Sequence, residues 1–427
     1  MERRRTGEPA SADLTLPDAF QFALWHFAAR IAAWLRPPAL VRMRAPDGAA
    51  PSGISVVIPS RHGRHLLAAQ LADILRELPA LAEVIVVDNG SNDGTAGWLA
   101  AEWPMVRAEV SAEPLSFAAA VNRGIARARY SHVCLLNNDM LVEPRFFVAL
   151  RQAFDRVPDL FCATAQIRFP AGVRREETGK AVMAQAHRDD FPIRCDEPVA
   201  GEDLTWVLYG SGGCSLYDAA MLRALGGMDQ AYAPAYVEDL DAGYRAWQRG
   251  WPTVYVAGAV VEHRHRATTS RYFREAELAE ILEVNYLRFL ARAVADRRLF
   301  RKLWNDAIGR LRRRRDGALR RAAAIALEGG GWERGNYSEE SILALTGGDV
   351  AVFPGRDASA APLVTFAERL ETPPENVLAR HSEVVLVRKA NQLAMQAGIE
   401  WTERKQRGRD KWAGGAPSRE IRLPGES

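Results

Sequence analysis

The sequence predicts an α/β protein built on a mostly parallel central sheet, extended on its C-terminal side by helices. Three observations carry that expectation. From residue 54 onward, short β-branched runs alternate with helix-periodic segments. The runs are continuously apolar, as strands buried on both faces are. Three of them also end in polar clusters, Pro59-Ser60-Arg61, Asp88-Asn89 and Asn137-Asn138-Asp139. Ligands collect at the carboxyl ends of strands in such sheets.

The elements follow in order. Phe20, Leu24, Phe27, Ile31 and Trp34 recur at helical spacing, and Pro37-Pro38 stop the pattern. This amphipathic helix is expected to pack on the protein, with a membrane surface as the alternative. A Gly/Pro/Ala linker at 45–53 closes an N-terminal segment, 1–50. ISVVIP, EVIVVD and SHVCLLNND then read as strands. HLLAAQLADILREL, TAGWLAAEW, SFAAAVNRGIARAR and PRFFVALRQAFDRV read as helices. After residue 158 the alternation loosens. TWVLYGSGGCSLYD resembles a strand interrupted by glycines, and a helix, a Gly-Gly turn and a second helix starting near Glu238 follow. PTVYVAGAVVEH is strand-like and ends at His263. A main domain over 51–270 is therefore expected, with a basic helical extension over 271–328. A small α/β appendage with a disordered tail should complete the chain over 329–427, with EVVLVR as its strand signal.

Composition narrows the classes. With 48% hydrophobic and 26% charged residues among 427, the chain reads as a globular protein of more than one unit. A net charge of +3 does not suggest nucleic acid, and none is expected as a partner. Residues 297–321 nevertheless hold eleven Lys/Arg against Asp306 and Asp316, a pattern suited either to a solvated helix face or to contact with anionic lipid or nucleic acid. Four scattered cysteines without CxxC spacing fit a reducing cytoplasm. No apolar run is long enough to span a bilayer. MERRRTGEPA lacks the apolar stretch of a signal peptide.

Four clusters carry chemistry. Asp88 precedes the turn GSNDGT, where it can accept hydrogen bonds from a base or ribose, or simply cap the turn. The absence of G-x-G-x-x-G after either early strand weakens a dehydrogenase reading. Asp139, at the mouth of the sheet, can hold a divalent cation, since Mg²⁺ uses one or two carboxylates and takes its other ligands from water and phosphate. His263 ends a strand expected to return to that edge, and imidazole suits Mn²⁺ better. Glu238 and Asp239 open a helix in which Asp241 and Arg245 pair at i,i+4, leaving the first two to point elsewhere. The macrodipole alone also favours acids there. Trp247 is among several aromatics that could stack on a sugar.

Together, SVVIPSR, EVIVVDNGSNDGT, SFAAAVNRGIARARYSHVCLLNND, GGCSLYDAAMLRALGGMDQAYAPAYVEDLDAGYRAWQRGW and VVEH resemble a family 2 glycosyltransferase of the GT-A fold. This is the Rossmann-like fold of nucleotide-diphospho-sugar transferases, and the rhamnosyltransferase-like subgroup is most similar. The resemblance implies that Pro59, Ser60, Arg61, Asp88, Asn122 and Asn138 hold the nucleotide. It implies that Gly212, Gly213 and Trp247 lie at the donor or acceptor sugar, and that Asp139 and His263 bind Mn²⁺ or Mg²⁺. Asp239, beside Glu238, becomes the base of an inverting displacement. The implied donor is a UDP-, dTDP- or GDP-sugar, and the implied acceptor a surface glycan or lipid-linked sugar. The implied location is the cytoplasm, with peripheral contact at the inner face of the membrane. Two departures stand out: the DxD-type motif reads Asn137-Asn138-Asp139, and Arg61-His62 replace the usual aromatic-Asn pair. A catalytically impaired nucleotide-sugar-binding protein, or an adaptor acting through the basic helices, is the alternative. A nucleotidyltransferase would need G-G-x-G-x-R where this chain has PSRHGRH.

Overall fold

A computed structural model describes residues 16–37, 46, 48, 50–170, 178–183, 187–198, 203–264, 272–332 and 339–346. The appendage signal at 383–388 and the tail lie outside the described residues. In chain order the elements are α1 (Leu16–Leu35), β1 (Ile54–Ser60), α2 (Arg64–Glu77), β2 (Ala82–Asn89), α3 (Thr95–Glu102), β3 (Val106–Ser111), α4 (Phe117–Arg127), β4 (His132–Leu136), β5 (Met140–Val142), α5 (Phe146–Arg156) and β6 (Cys162–Arg168). There follow β7 (Ala181–Met183), β8 (Ile193–Cys195), β9 (Thr205–Trp206), β10 (Cys214–Asp218), α6 (Ala219–Ala224), α7 (Glu238–Gln248), β11 (Thr253–His263), α8 (Glu275–Ala293), α9 (Arg297–Arg314), α10 (Leu319–Glu328) and α11 (Glu339–Leu345).

Among the described residues, nine strands form one mixed sheet in the order β3-β2-β1-β4-β10-β6-β11-β5, with β9 on β11. The first four are parallel, as the continuous apolar runs predict. Val56, Ile58, Val84, Val86, Cys134 and Leu136 face one core layer, against α2, α3 and α5. Val57, Ile85, Val87, Val133 and Leu135 face the other, against α4 and α6. Side chains alternate across a strand, so both layers draw on the same runs. The glycine-interrupted segment resolves into β9 and β10, and β10 runs antiparallel to both neighbours. The sequence did not single out β3, β5 or β6.

A register shift between Val256 and Val260 bends β11. Beyond that bend, Val261, Glu262 and His263 pair with Val142, Leu141 and Met140 of β5. The end of β11 thus arrives beside the residues that directly follow β4.

The basic helical extension expected over 271–328 consists of three helices, α8, α9 and α10, among the described residues. Asp296 caps α9 by accepting from the Leu299 N–H at 2.7 Å, and Arg315 closes it in a left-handed conformation at φ 56°. A buried Arg310–Glu283 ion pair at 2.5 Å fixes α9 to α8, so part of the basic run is structural.

Helix α1 packs on the protein, but not through the expected stripe. Ala29, Ala32 and Ala33 are buried, and the Trp304 indole of α9 donates to the Ala29 carbonyl at 3.2 Å. Small side chains let the backbones approach closely, so the bulky apolar face is left outward. No described helix is long and apolar enough to cross a membrane.

Candidate active site

The three residues after β4 each engage a different part of the molecule. Asn137 donates its backbone N–H to the Gly213 carbonyl at 2.8 Å, and its amide lies against Gly213, where an added Cβ would meet Nδ2 at 2.5 Å. Asn138 is buried and donates from Nδ2 to the Ser60 hydroxyl at 2.9 Å. The Asp139 carboxylate lies 3.6 Å from His263 Nε2, and its carbonyl accepts the Arg264 N–H at 2.9 Å. One short polar run therefore joins β1, the glycine turn before β10, and the end of β11.

A second part of this cluster sits at the carboxyl ends of β1 and β2. Ser60 and Asp88 are register partners, and both are buried. Asp88 Oδ1 accepts the Ser91 N–H at 3.3 Å, so it closes the turn as well as standing at the strand end. Ser91 Oγ in turn accepts the His62 N–H at 2.9 Å. Gly63 lies so close to the Asn138–Ser60 pair that a Cβ would stand 2.2 Å from Asn138 Nδ2. Half-buried Pro59 precedes Ser60 at the end of β1, and the Arg61 guanidinium rests over the Tyr272 ring at 4.3 Å. Tyr272 also meets His62 Nδ1 through its hydroxyl at 2.7 Å. Sequence reasoning missed Tyr272, because no spacing signal marks it.

The acids of α7 form the opposite wall. Asp239 accepts the Gly212 N–H at 3.2 Å and the Leu240 N–H at 2.8 Å. Glu238 is buried, and its Oε2 has no hydrogen-bond partner among the described residues. Burial, reinforced by the charge of Asp239, pushes the Glu238 carboxyl well above its usual range. Asp241 binds Arg245 at 2.6 Å, as the i,i+4 spacing predicts, and accepts from the Tyr232 hydroxyl at 3.0 Å. The turn carrying Gly212 and Gly213 is anchored from below. Ser211 N–H donates to Thr164 Oγ1 at 3.2 Å, and Ser215 Oγ donates to the Ser211 carbonyl at 2.7 Å.

The entry into α7 is held by Asn285 of α8, whose amide nitrogen donates to the carbonyls of Tyr232, Ala235 and Tyr236 at 2.7, 2.9 and 3.1 Å. Tyr236 and Val237 both adopt positive φ, 74° and 80°, a conformation rare for such residues. Asn285 sits on the apolar face of a helical pattern, and that misplaced polarity is the signal that could have found it.

Two expected residues are committed elsewhere. Trp247 is 1% exposed, donates from Nε1 to the Val207 carbonyl at 2.9 Å and belongs to the core, so it does not present a face to a sugar. The Asn122 amide bonds both ways with the Met228 backbone, at 2.7 and 2.9 Å, pinning the Gly226-Gly227 turn to α4.

Asp139 and His263 converge as two ligands of a divalent cation would, both largely shielded from solvent. No group of three or more metal-ligating side chains occurs among the described residues. The pair suits a cation that takes its remaining ligands from phosphate and water.

Residues 51–277 match the family model described as glycosyltransferase-like family 2. The N-acetylglucosaminyl-diphospho-decaprenol L-rhamnosyltransferase of Mycobacterium tuberculosis is 28% identical over 218 residues, which span 44% of this chain and 68% of that relative. Among solved structures, the mannosyltransferase PcManGT of Pyrobaculum calidifontis, in complex with GDP-Man and Mn²⁺, is 18% identical. That match covers 73% of this chain and 85% of the other, with a TM-score of 0.43. GalNAc-T7 with UDP, GalNAc and Mn²⁺ is 17% identical over 69% of this chain and 60% of its own, with a TM-score of 0.47.

Proposed function

The chain belongs to the glycosyltransferase-like family 2, and on that premise we propose that residues 51–270 transfer a sugar from a nucleoside-diphosphate donor to an acceptor hydroxyl with inversion. The observation that carries the reading is the run Asn137–Asp139, whose members tie the strand ends, the glycine turn and His263 into one polar cluster.

Asp88 and Ser60 would hold the nucleoside, with Pro59 and Asn138 shaping the floor. Arg61 would lie near the diphosphate. Gly212 and Gly213 leave room for the donor sugar to approach the backbone. Asp239 is the general base. It accepts the acceptor hydroxyl proton as the oxygen–anomeric carbon bond forms and the bond to the diphosphate breaks on the opposite face. Its two backbone donors fix the carboxylate, while burial, then the Asp239 charge, raises the neighbouring Glu238 carboxyl well above its usual range. Asp139 and His263 would hold Mn²⁺ or Mg²⁺, which when bound supplies positive charge opposite the leaving diphosphate.

The M. tuberculosis relative's name places a sugar on a diphospho-decaprenol carrier. A lipid-linked acceptor and a rhamnosyl or other hexosyl donor are therefore the substrates proposed here. The four free cysteines support work on the cytoplasmic side. A screen of UDP-, dTDP- and GDP-sugars, scored for donor hydrolysis with and without EDTA, tests this. One donor should turn over, and EDTA should suppress it. Turnover indifferent to EDTA would remove the cation from Asp139 and His263, and no turnover of any donor would remove the transferase reading.

A further inference from the structure

Helix α1 exposes the wrong face for a helix that merely packs. Phe20, Leu24, Phe27, Ile31, Trp34 and Leu35 are all solvent-exposed, from 42% at Ile31 to 72% at Phe20. They lie at steps of three and four, so they form one continuous stripe opposite the buried alanines. Such a stripe exceeds what scattered surface hydrophobics account for.

The stripe has a charged neighbour. Helix α9 runs antiparallel beside α1: Arg312, near its C-terminal end, lies within electrostatic reach of His26, while Arg297 and Arg301, near its start, act on Arg36. Trp304 bonds Ala29 midway. Along α9, Arg298, Arg301, Lys302, Arg312 and Arg315 are exposed. On α1 itself, exposed Arg30 stands three residues after Phe27 and four before Trp34, on the shoulder of the stripe.

We propose that this face of α1, with Arg30 on its shoulder and the exposed basic residues of the adjoining α9, docks on an anionic lipid bilayer with the helix lying in the interfacial plane. Aromatic and leucine side chains on one side and Lys/Arg alongside are the chemistry of an interfacial helix. The charge selects the occupant. An anionic surface complements these basic residues, with each one near it adding to the attraction. The choice of a lipid surface leans on the proposed lipid-linked acceptor, whereas the exposed stripe and its basic neighbours do not depend on it.

Sedimentation of the full chain with vesicles tests the proposal without donor or acceptor, so its outcome is separable from that of the transferase reading. The protein should bind phosphatidylcholine–phosphatidylglycerol vesicles at low salt and bind phosphatidylcholine alone far less. Combining Leu24→Ser, Phe27→Ser and Trp34→Ser should lower partitioning at least about tenfold while leaving nucleotide binding unchanged. Arg298→Glu with Arg301→Glu should weaken the preference for anionic vesicles. Absence of wild-type binding, or full binding by the triple variant, overturns the proposal. A concentration-dependent dimer dissolved by the triple variant would also overturn it, in favour of a second copy. If the triple variant misfolds, quenching of tryptophan emission by brominated lipid reads the same contact. Quenching that Trp34→Phe leaves unchanged would count against it.

Discussion

Glu238 and Asp239 are adjacent acids with different surroundings. Asp239 is half-buried and accepts from two backbone N–H groups, whereas Glu238 is buried with one oxygen lacking a hydrogen-bond partner among the described residues. Burial and then the Asp239 charge raise the Glu238 carboxyl well above its ordinary 4.5, so the folded chain keeps a proton that the unfolded chain releases. Where the native state binds more protons, stability falls as pH rises. The contribution is full below about 4.5 and is lost as pH climbs toward the raised value. Glu238→Gln mimics the neutral acid without that slope. Thermal unfolding should therefore favour the variant increasingly between about pH 5 and pH 8, and its turnover should stay within about tenfold of wild type. Collapse of turnover in Glu238→Gln would make Glu238 the working carboxylate. The sequence identified the acidic pair, but burial alone separates their roles, and no motif records burial. It is also why Trp247 read as a sugar-facing aromatic: an aromatic in an amphipathic helix looks the same whether its face meets core or cleft.

Among the elements, α7 depends on close backbone packing to place its acids. An added Cβ at Gly243 would stand 2.5 Å from Tyr209 Cβ, 2.7 Å from Tyr209 Cα and 2.8 Å from the Leu208 carbonyl. Alanine is intrinsically better than glycine inside a helix by about 1 kcal/mol. Overpacking against backbone that cannot swing aside costs about 1–3 kcal/mol, so the clash wins. Gly243→Ala should lower the melting temperature and also reduce turnover, since lifting α7 moves Asp239 away from Gly212. A variant that melts higher would show that the helix has room. The strands and α7 were legible because hydrophobic period and helix-start acids are local signals. The union of β5 with the bent end of β11 was not legible, since it pairs Met140 with His263 across a long stretch of chain. Nor was the orientation of α1. Its large stripe looked like the buried face, while the alanines that pack closely give little hydrophobic contrast.

Across the whole molecule, the polar cluster joins β1, β2, β4, β5, β10, α7 and β11. The sequence showed that Asp88, Asp139, Asp239 and His263 each end or begin an element. Their assembly depends on a sheet whose order, β1-β4-β10-β6-β11, departs from chain order. The resemblance of the motifs grouped these residues as an expectation, and the register of β11 beside β5 gives the physical cause for the meeting of Asp139 and His263. The anchoring partners, Asn285, Thr164 and Tyr272, lie outside those readings because they act through contacts with residues distant in the chain. The most direct test of the account separates binding from chemistry at Asp239. Donor affinity by calorimetry and transfer rate should be measured on the same Asp239→Asn protein. The account predicts affinity close to wild type and a transfer rate lower by roughly a thousandfold. Transfer at a rate near wild type would contradict it and move the base to another residue.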